Sequence, residues 1–211
     1  MFELFGVTFR DVLDIPSLKI PGNSITTLVG PSGSGKTTVL KLLNKMLSPT
    51  QGTITFGGED LMQADPILHR RRVTLLSQTP AMFGGSVKDN LTAGLRFQKR
   101  DVPDDAYLSA MLEKVKLNKP LDSGVQTLSG GEKQRLALGR VLLLDSEVYL
   151  LDEPSSALDE VTAEAVIEMI AGYAQSENKT LVMVTHSSAI ARRFSDSIIG
   201  VNGGKCDWRP V

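Results

Sequence analysis

Several features that would assign this sequence to a specialised class of protein are scarce or missing. Its single cysteine, Cys206, excludes an internal disulfide framework and fits a reducing compartment. No apolar run approaches the roughly 20 residues that span a bilayer, and the first residues lack the basic-then-apolar pattern of a secretory signal. With 23 basic and 24 acidic residues, the chain also lacks the basic excess of a general nucleic-acid binder. We therefore expect a globular, intracellular protein without a nucleic-acid partner.

Short β-branched runs alternate with amphipathic segments along most of the chain. Strands are predicted at 25–29, 53–56, 73–76, 148–151, 180–185 and 197–201, and helices at 36–47, 161–174 and 189–194. This alternation predicts an α/β fold with a mainly parallel sheet flanked by helices. The first 25 residues alternate apolar and polar positions, which predicts an antiparallel β subdomain.

Between residues 79 and 144 polar helices dominate, for example at 105–117, and we interpret this stretch as a helical subdomain inserted into the α/β frame. The predicted organisation is one domain over 1–211: a core with its β subdomain from 1–78 and 145–211, and a helical subdomain from 79–144. A basic run at 69–72 precedes a strand, and we interpret it as a solvated turn.

A glycine-rich loop follows the strand at 25–29 and opens the helix at 36–47, the context that a phosphate-binding loop requires. Its glycines let backbone amides curl around phosphate oxygens, and the helix N-terminus adds about half a positive charge. Lys36 supplies a charge for the β- and γ-phosphates, and Thr37 a hydroxyl for Mg²⁺. The alternative is a glycine-rich turn that matches by chance. The candidate ATP-binding residues are Gly30, Pro31, Ser32, Gly33, Ser34, Gly35, Lys36, Thr37 and Thr38.

Two adjacent carboxylates, Asp152 and Glu153, end the apolar strand at 148–151. Burying them is costly unless they meet a cation or move a proton. Asp152 is a candidate Mg²⁺ ligand, and Glu153 can orient or deprotonate an attacking water. The alternative is a solvated pair in a turn, since Pro154 follows.

A third motif, Leu128-Ser129-Gly130-Gly131-Glu132, opens another predicted helix. Ser129 and Glu132 fit a capping box, so the motif in isolation is only a well-formed helix start. Gly130 and Gly131, however, expose amides to an anion, which predicts a second anion site.

The order of the motifs resembles that of the ATPase subunits of ABC transporters, with the fold of a P-loop NTPase. The resemblance covers nearly the whole chain, and the Leu128–Glu132 pentapeptide is specific to that family among phosphate-loop proteins. Its elements, in chain order, are the phosphate loop, Gln78, Leu128–Glu132, Asp152-Glu153, Ser156–Asp159 and His186.

The resemblance implies a homodimer that sandwiches two ATP molecules head to tail when ATP is bound. Lys36 and Thr37 of one copy would bind the triphosphate and Mg²⁺. Ser129, Gly130 and Gly131 of the other copy would cap the same γ-phosphate. In this arrangement each copy would supply half of the residues that contact an ATP molecule.

The remaining family positions imply further roles in catalysis. Gln78 would contact Mg²⁺ and the attacking water. It would also lie at the position on which a membrane partner acts. Asp159 would help communication between the two sites, and His186 would hold the γ-phosphate beside Glu153. For adenine, the family usually uses an aromatic residue of the early hairpin. Phe9 lies near that position and could equally face the core.

The sequence contains no fused membrane domain and no second cassette, so the resemblance implies a separate multi-span permease subunit. We expect a cytoplasmic protein, peripheral on the inner face of the cell membrane. Short stretches, 58–61 and 77–80, are similar to small stand-alone bacterial cassettes linked to iron export or metal tolerance. The alternatives are a soluble ABC ATPase acting on DNA or the ribosome, a small-molecule kinase, and an inactive cassette.

Overall fold

The protein, described here by a computed structural model, divides into two compact units. The structure describes the backbone of residues 1–211 and the side chains of 1–209 and 211. The first unit comprises Met1–Leu75, Ser146–Glu153 and Ile170–Val211, and the second comprises Leu76–Asp145 and Pro154–Met169. The second unit thus includes 154–169, which the sequence analysis assigned to the core. The bounds of a helical subdomain at 79–144 stay a proposal.

An antiparallel sheet occupies the N-terminal part of the first unit. In the described chain it has the order β2-β1-β4-β5, formed by β1 (Phe2–Phe9), β2 (Leu13–Ile20), β4 (Gln51–Phe56) and β5 (Glu59–Asp60). Opposed residues such as Phe2 and Ile20 pair across the ladder and are both fully buried. Because side chains alternate between the faces of a strand, the apolar positions share one face, which packs into the core.

A mainly parallel sheet carries the first unit's central layer. Its order is β10-β9-β3-β8-β7-β6, formed by β3 (Ile25–Val29), β6 (Val73–Leu76), β7 (Val148–Asp152), β8 (Thr180–Val184), β9 (Ser197–Asn202) and β10 (Lys205–Pro210). Strand β3 is parallel to β8 and β9, and β7 is parallel to β8. The carboxyl ends of β3, β7 and β8 therefore meet at one edge. This edge brings together the residues that follow each strand: the glycine loop, Glu153 and the segment that contains His186.

Helices complete both units. Those of the first unit are α1 (Lys36–Leu43), α2 (Pro66–Arg72) and α7 (Ser188–Phe194). Those of the second unit are α3 (Val87–Phe97), α4 (Asp105–Lys114), a 3₁₀ turn (Val125–Thr127) and α5 (Gly130–Leu142). Helix α6 (Glu160–Ser176) begins in the second unit and ends in the first. In the part of the chain that the structure describes, no helix combines the length and apolar character needed to cross a bilayer.

Two local predictions were wrong. The run 69–72 belongs to helix α2 rather than to a solvated turn, because the Asp65 carboxylate caps that helix by accepting from the amides of Ile67 and Leu68. His69 is consequently buried, with Nε2 2.7 Å from the carbonyl oxygen of Leu43. Helix α1 ends at Leu43, four residues earlier than predicted, since the chain turns at Lys45, where φ is 56°. No strand was predicted for the segment that forms β10.

Candidate functional site

The glycine loop after β3 is pressed against its surroundings at two positions. A Cβ atom on Gly30 would lie 2.0 Å from the carbonyl oxygen of Val201, at the end of β9. One on Gly35, where φ is 105°, would lie 2.5 Å from Cδ2 of Leu13. Since backbone and a core leucine fill these spaces, only glycine fits at both positions. The loop is thereby fixed between β9 and the start of β2.

The start of helix α1 is left open to an anion. Gly35 is its N-cap, and no side chain in the described structure caps it, nor does its first turn contain an acidic residue. The first amides of α1 can therefore serve a bound phosphate. Lys36 is only 6 % exposed, and its Nζ donates to the carbonyl oxygens of Gly30 (2.9 Å) and Pro31 (2.8 Å). A buried positive charge thus lies beside the loop.

A buried carboxylate faces the same helix start. Thr37 Oγ1 donates to Oδ2 of Asp152 at 2.9 Å, across 115 positions of the chain. Asp152 is 4 % exposed, and its Oδ1 has no hydrogen-bond partner among the described residues; the same holds for Oγ of Ser34. Burial raises the pKa of the Asp152 carboxyl, while the Thr37 hydrogen bond opposes the rise. An unpartnered buried carboxylate oxygen beside a hydroxyl fits a hard cation such as Mg²⁺, which prefers oxygen ligands and phosphates.

The next residue, Glu153, pairs with His186. Glu153 Oε1 lies 2.9 Å from Nε2 of His186, and their side chains are 16 % and 50 % exposed. The backbone of Glu153 has a φ of 50°, and its amide donates to the carbonyl oxygen of Val184 at 3.2 Å. The left-handed backbone turns the chain at the end of β7 and directs this carboxylate to His186. A carboxylate held by an imidazole can orient a water.

The second unit contains the other predicted anion site. Ser129 caps α5: its amide donates to Glu132 Oε2 at 2.9 Å, and its Oγ accepts from the Glu132 amide at 3.3 Å. A Cβ on Gly131 would lie 2.8 Å from the carbonyl oxygen of Ala157, whereas one on Gly130 would meet no atom of the described chain within 4 Å. The capping box is confirmed, and one of its glycines faces open space.

Two further predicted residues lie in the second unit. Gln78 is exposed in the segment that follows β6. Asp159 Oδ1 accepts from the amide of Thr162 at 3.0 Å and so caps the start of α6. Hydrogen bonds from Thr162, the amide first, hold the pKa of Asp159 below its usual value. The roles of both residues in catalysis stay predictions.

Sequence reasoning missed a polar clamp on the segment after Gln78. Arg140, on α5, donates from Nε to the carbonyl oxygen of Asn90 (2.7 Å) and from Nη1 to that of Ala81 (2.9 Å). Its guanidinium lies 5.0 Å from the ring centroid of Phe83, and the fully buried Asn90 exchanges hydrogen bonds with the Phe83 backbone. Arg140 lies about 50 residues from its partners in the sequence, so no local sequence pattern indicates the contact.

An exposed aromatic pair joins this segment to the end of α3. Phe83 and Phe97 pack edge to face with centroids 5.4 Å apart, yet remain 38 % and 70 % exposed. Phe9, the candidate for stacking adenine, packs partly against the core and lies under the Arg10 guanidinium at 5.2 Å.

Several known proteins are similar in sequence to this chain. The model of the ABC transporter family matches residues 13–156. The rice (Oryza sativa subsp. japonica) protein STAR1 is 38 % identical over 190 residues, which are 90 % of this chain and 55 % of STAR1. The probable iron export ATP-binding protein FetA of Escherichia coli (strain K12) is 39 % identical over 176 residues, 83 % of this chain and 78 % of FetA. This chain therefore spans only about half of STAR1.

A solved structure supports the fold alone. A dimeric ATP-binding cassette in a post-hydrolysis state, bound to ADP and Pi, superposes with a TM-score of 0.88 at 24 % identity. The match covers 100 % of this chain and 98 % of that one. The predicted P-loop NTPase fold, with its antiparallel β subdomain and mainly parallel sheet, is thus confirmed. Together with the family match, these findings establish that the chain belongs to the ABC transporter family, as an ATP-binding cassette of a kind whose members hydrolyse ATP.

Proposed function

We propose that this chain is the ATP-hydrolysing subunit of a membrane transporter, and that it drives a separate permease subunit. The observation that best supports the ATPase part of this proposal is the meeting of three features at one sheet edge: the glycine loop, the Thr37–Asp152 pair, and the Glu153–His186 pair. Phosphoryl transfer needs positioned charge more than covalent chemistry, and these groups supply it.

ATP binding begins at the glycine loop. The amides of the loop and of the first turn of α1 surround the phosphates, and the Lys36 ammonium turns from the carbonyls of Gly30 and Pro31 to the β- and γ-phosphate oxygens. Thr37 and Asp152 would hold Mg²⁺, whose charge would neutralise part of the triphosphate charge. The unpartnered Asp152 Oδ1 supports this assignment.

Hydrolysis depends on the pair at the end of β7. Glu153 orients the attacking water and accepts its proton, and His186 keeps the carboxylate in place and reaches the γ-phosphate. Removing one such positioned group typically lowers the rate by about 10²–10³.

A second copy completes the pocket. Ser129, Gly130 and Gly131 of that copy contact the γ-phosphate through the start of α5, and Asp159 links the two pockets. The open space beside Gly130 leaves room for this ligand.

The permease contacts the segment after Gln78. Met82 and Phe83, with the exposed ring of Phe97, offer an apolar surface that the Arg140–Asn90 clamp holds in place. The subunit then works at the cytoplasmic face of the membrane. FetA, a relative named for iron export, makes iron the first cargo to test.

The test uses a variant that binds ATP but does not cleave it. Glu153→Gln should form an ATP-dependent dimer in size-exclusion chromatography, and Glu177→Gln, at an exposed carboxylate just after the end of α6, should behave as wild type. Adding Ser129→Arg to Glu153→Gln should block the dimer without loss of ATP binding by each copy. A Glu153→Gln protein that stays monomeric with ATP would refute the sandwich, and wild-type turnover in Glu153→Gln would refute the role of that carboxylate.

The permease and the cargo need a separate test. Expressed with a candidate multi-span permease, the tagged chain should co-purify from membranes and raise iron efflux from cells. Loss of efflux in Glu153→Gln, with co-purification retained, would tie the cargo to hydrolysis. Iron content that does not respond to either protein would overturn the cargo assignment.

A further inference from the structure

The helix start that we assign to the γ-phosphate contains a negative charge of its own. Glu132 is the third residue of α5, and its Oε2 accepts from the Ser129 amide at 2.9 Å. That hydrogen bond, followed by contact with Lys119, holds the pKa of Glu132 below its usual value. Glu132 is therefore ionised at neutral pH, and its charge lies one hydrogen bond from the serine that meets the phosphate. Two like charges at such a site repel each other.

Lys119 occupies the other oxygen of this carboxylate. Its Nζ lies 3.1 Å from Oε1 of Glu132, and the two side chains are only 33 % and 21 % exposed. The turn that carries Lys119 is fixed by its own backbone, since the Lys119 amide donates to the carbonyl oxygen of Leu117 at 3.1 Å. Each carboxylate oxygen of Glu132 thus has a separate partner: the helix cap on one side and a cation on the other.

We propose that Lys119 is a positioning residue that neutralises Glu132 and so keeps the start of α5 attractive to the γ-phosphate of ATP held by a second copy. The inference rests on the proposed function. A glutamine at position 132 would cap the helix equally well without a charge. The glutamate therefore makes a nearby cation necessary, whereas a glutamine would not. Lys119 thus acts on the phosphate indirectly, by neutralising Glu132, while the start of α5 contacts the phosphate.

Lys119→Gln tests this electrostatic role in the Glu153→Gln background. The ATP concentration that gives half-maximal dimer should rise about fivefold at low salt, because the Glu132 charge is no longer balanced. In about 0.5 M salt the difference should largely disappear, since the screening length falls to a few ångströms. Lys88→Gln is the matched control. It breaks another ion pair of the same unit, Lys88 with Asp105 at 2.6 Å, and should change neither value.

A double variant separates charge from structure. Glu132→Gln keeps the capping box, so it should dimerise at the wild-type ATP concentration or below. Lys119→Gln with Glu132→Gln should then return to the Glu132→Gln value, because no charge remains to be balanced. If Lys119 only supported the fold, the double variant would keep the defect of Lys119→Gln, which overturns the proposal.

The outcomes also distinguish this inference from the proposed function. An unchanged ATP requirement in Lys119→Gln, in a protein that does dimerise with ATP, overturns the role of Lys119 alone. A Glu153→Gln protein that never dimerises with ATP overturns both. A salt-independent defect likewise contradicts a role through charge.

Discussion

The phosphate loop and the Ser129 turn both place glycines at the start of a helix, but they are built in opposite ways. In the loop, backbone and a core side chain exclude a Cβ at Gly30 and Gly35. Two buried oxygens there, Oγ of Ser34 and Oδ1 of the facing Asp152, have no partner in the described chain. At the Ser129 turn, side chain and backbone satisfy each other. The loop is thus preorganised for a ligand, while the turn is already satisfied as a helix start.

The difference shows which of the two regions has lower folding stability in order to bind a ligand. Unpartnered buried polar atoms destabilise a fold, and they persist where a ligand will satisfy them. A capping box contributes stability without any ligand. The first region therefore depends on ATP for its full stability, and the second region does not. Substitutions in the two regions should consequently differ in what they change.

The largest effect is expected in the phosphate loop. Lys36→Ala removes the buried ammonium that neutralises the phosphates, so ATPase activity should fall by at least about 10²-fold and tight Mg-ATP binding should be lost. Nucleotide titration by calorimetry measures this. Lys19→Ala, at an exposed lysine of strand β2, is the control and should bind ATP as wild type does. Unchanged affinity in Lys36→Ala would remove the lysine from the site.

The two glycines of the turn should differ in stability. Gly131→Ala places a methyl 2.8 Å from the Ala157 carbonyl oxygen. Such overpacking costs about 1–3 kcal/mol, which corresponds to a Tm lower by about 2–10 °C. In Gly130→Ala the added methyl meets no other atom of the described chain within 4 Å, so the Tm of this variant should not fall.

Activity then adds a second comparison for the same pair. If Gly130→Ala keeps its Tm but loses ATP-dependent dimerisation, the methyl obstructs a group outside this chain, as the sandwich requires. Equal Tm losses in the two variants would contradict the packing of Gly131 against the segment around Ala157.

The smallest expected change is a shift in Tm, and it distinguishes the carboxylate of Asp152 from that of Glu132. Burial raises the pKa of Asp152, so its ionised form is favoured less in the folded state, and the charge destabilises the fold above the unfolded value of about 3.9. Asp152→Asn should therefore raise the nucleotide-free Tm at pH 7 by about 2–4 °C while it abolishes turnover. The gain should vanish as the pH falls below that value.

Glu132 is the matched control with the opposite sign. The Ser129 amide, with Lys119, holds its pKa low, so its contribution is present above the unfolded value of about 4.3 and is lost as the pH falls through the folded value. Glu132→Gln should thus give no gain in Tm at pH 7. A gain at both positions would contradict the contrast between the two regions.

Local patterns predicted much of the molecule. The strands at β3, β6, β7, β8 and β9 match the predicted runs to within one or two residues. An apolar run bounded by turn residues indicates a strand without information from distant parts of the chain. Strand β10 and helix α2 escaped prediction, because β10 is defined by its antiparallel pairing with β9 and α2 by a single capping carboxylate at Asp65.

The order of motifs in the sequence by itself determined the family, the fold class and which residue types bear the chemistry, because a phosphate loop works through a contiguous stretch of backbone. Only the tertiary structure decided which distant groups meet. It joined Thr37 to Asp152 across 115 positions and Lys119 to Glu132, and it separated the confined Gly131 from the open Gly130. The physical reason is that packing and charge pairing act between surfaces that the chain brings together only when it folds.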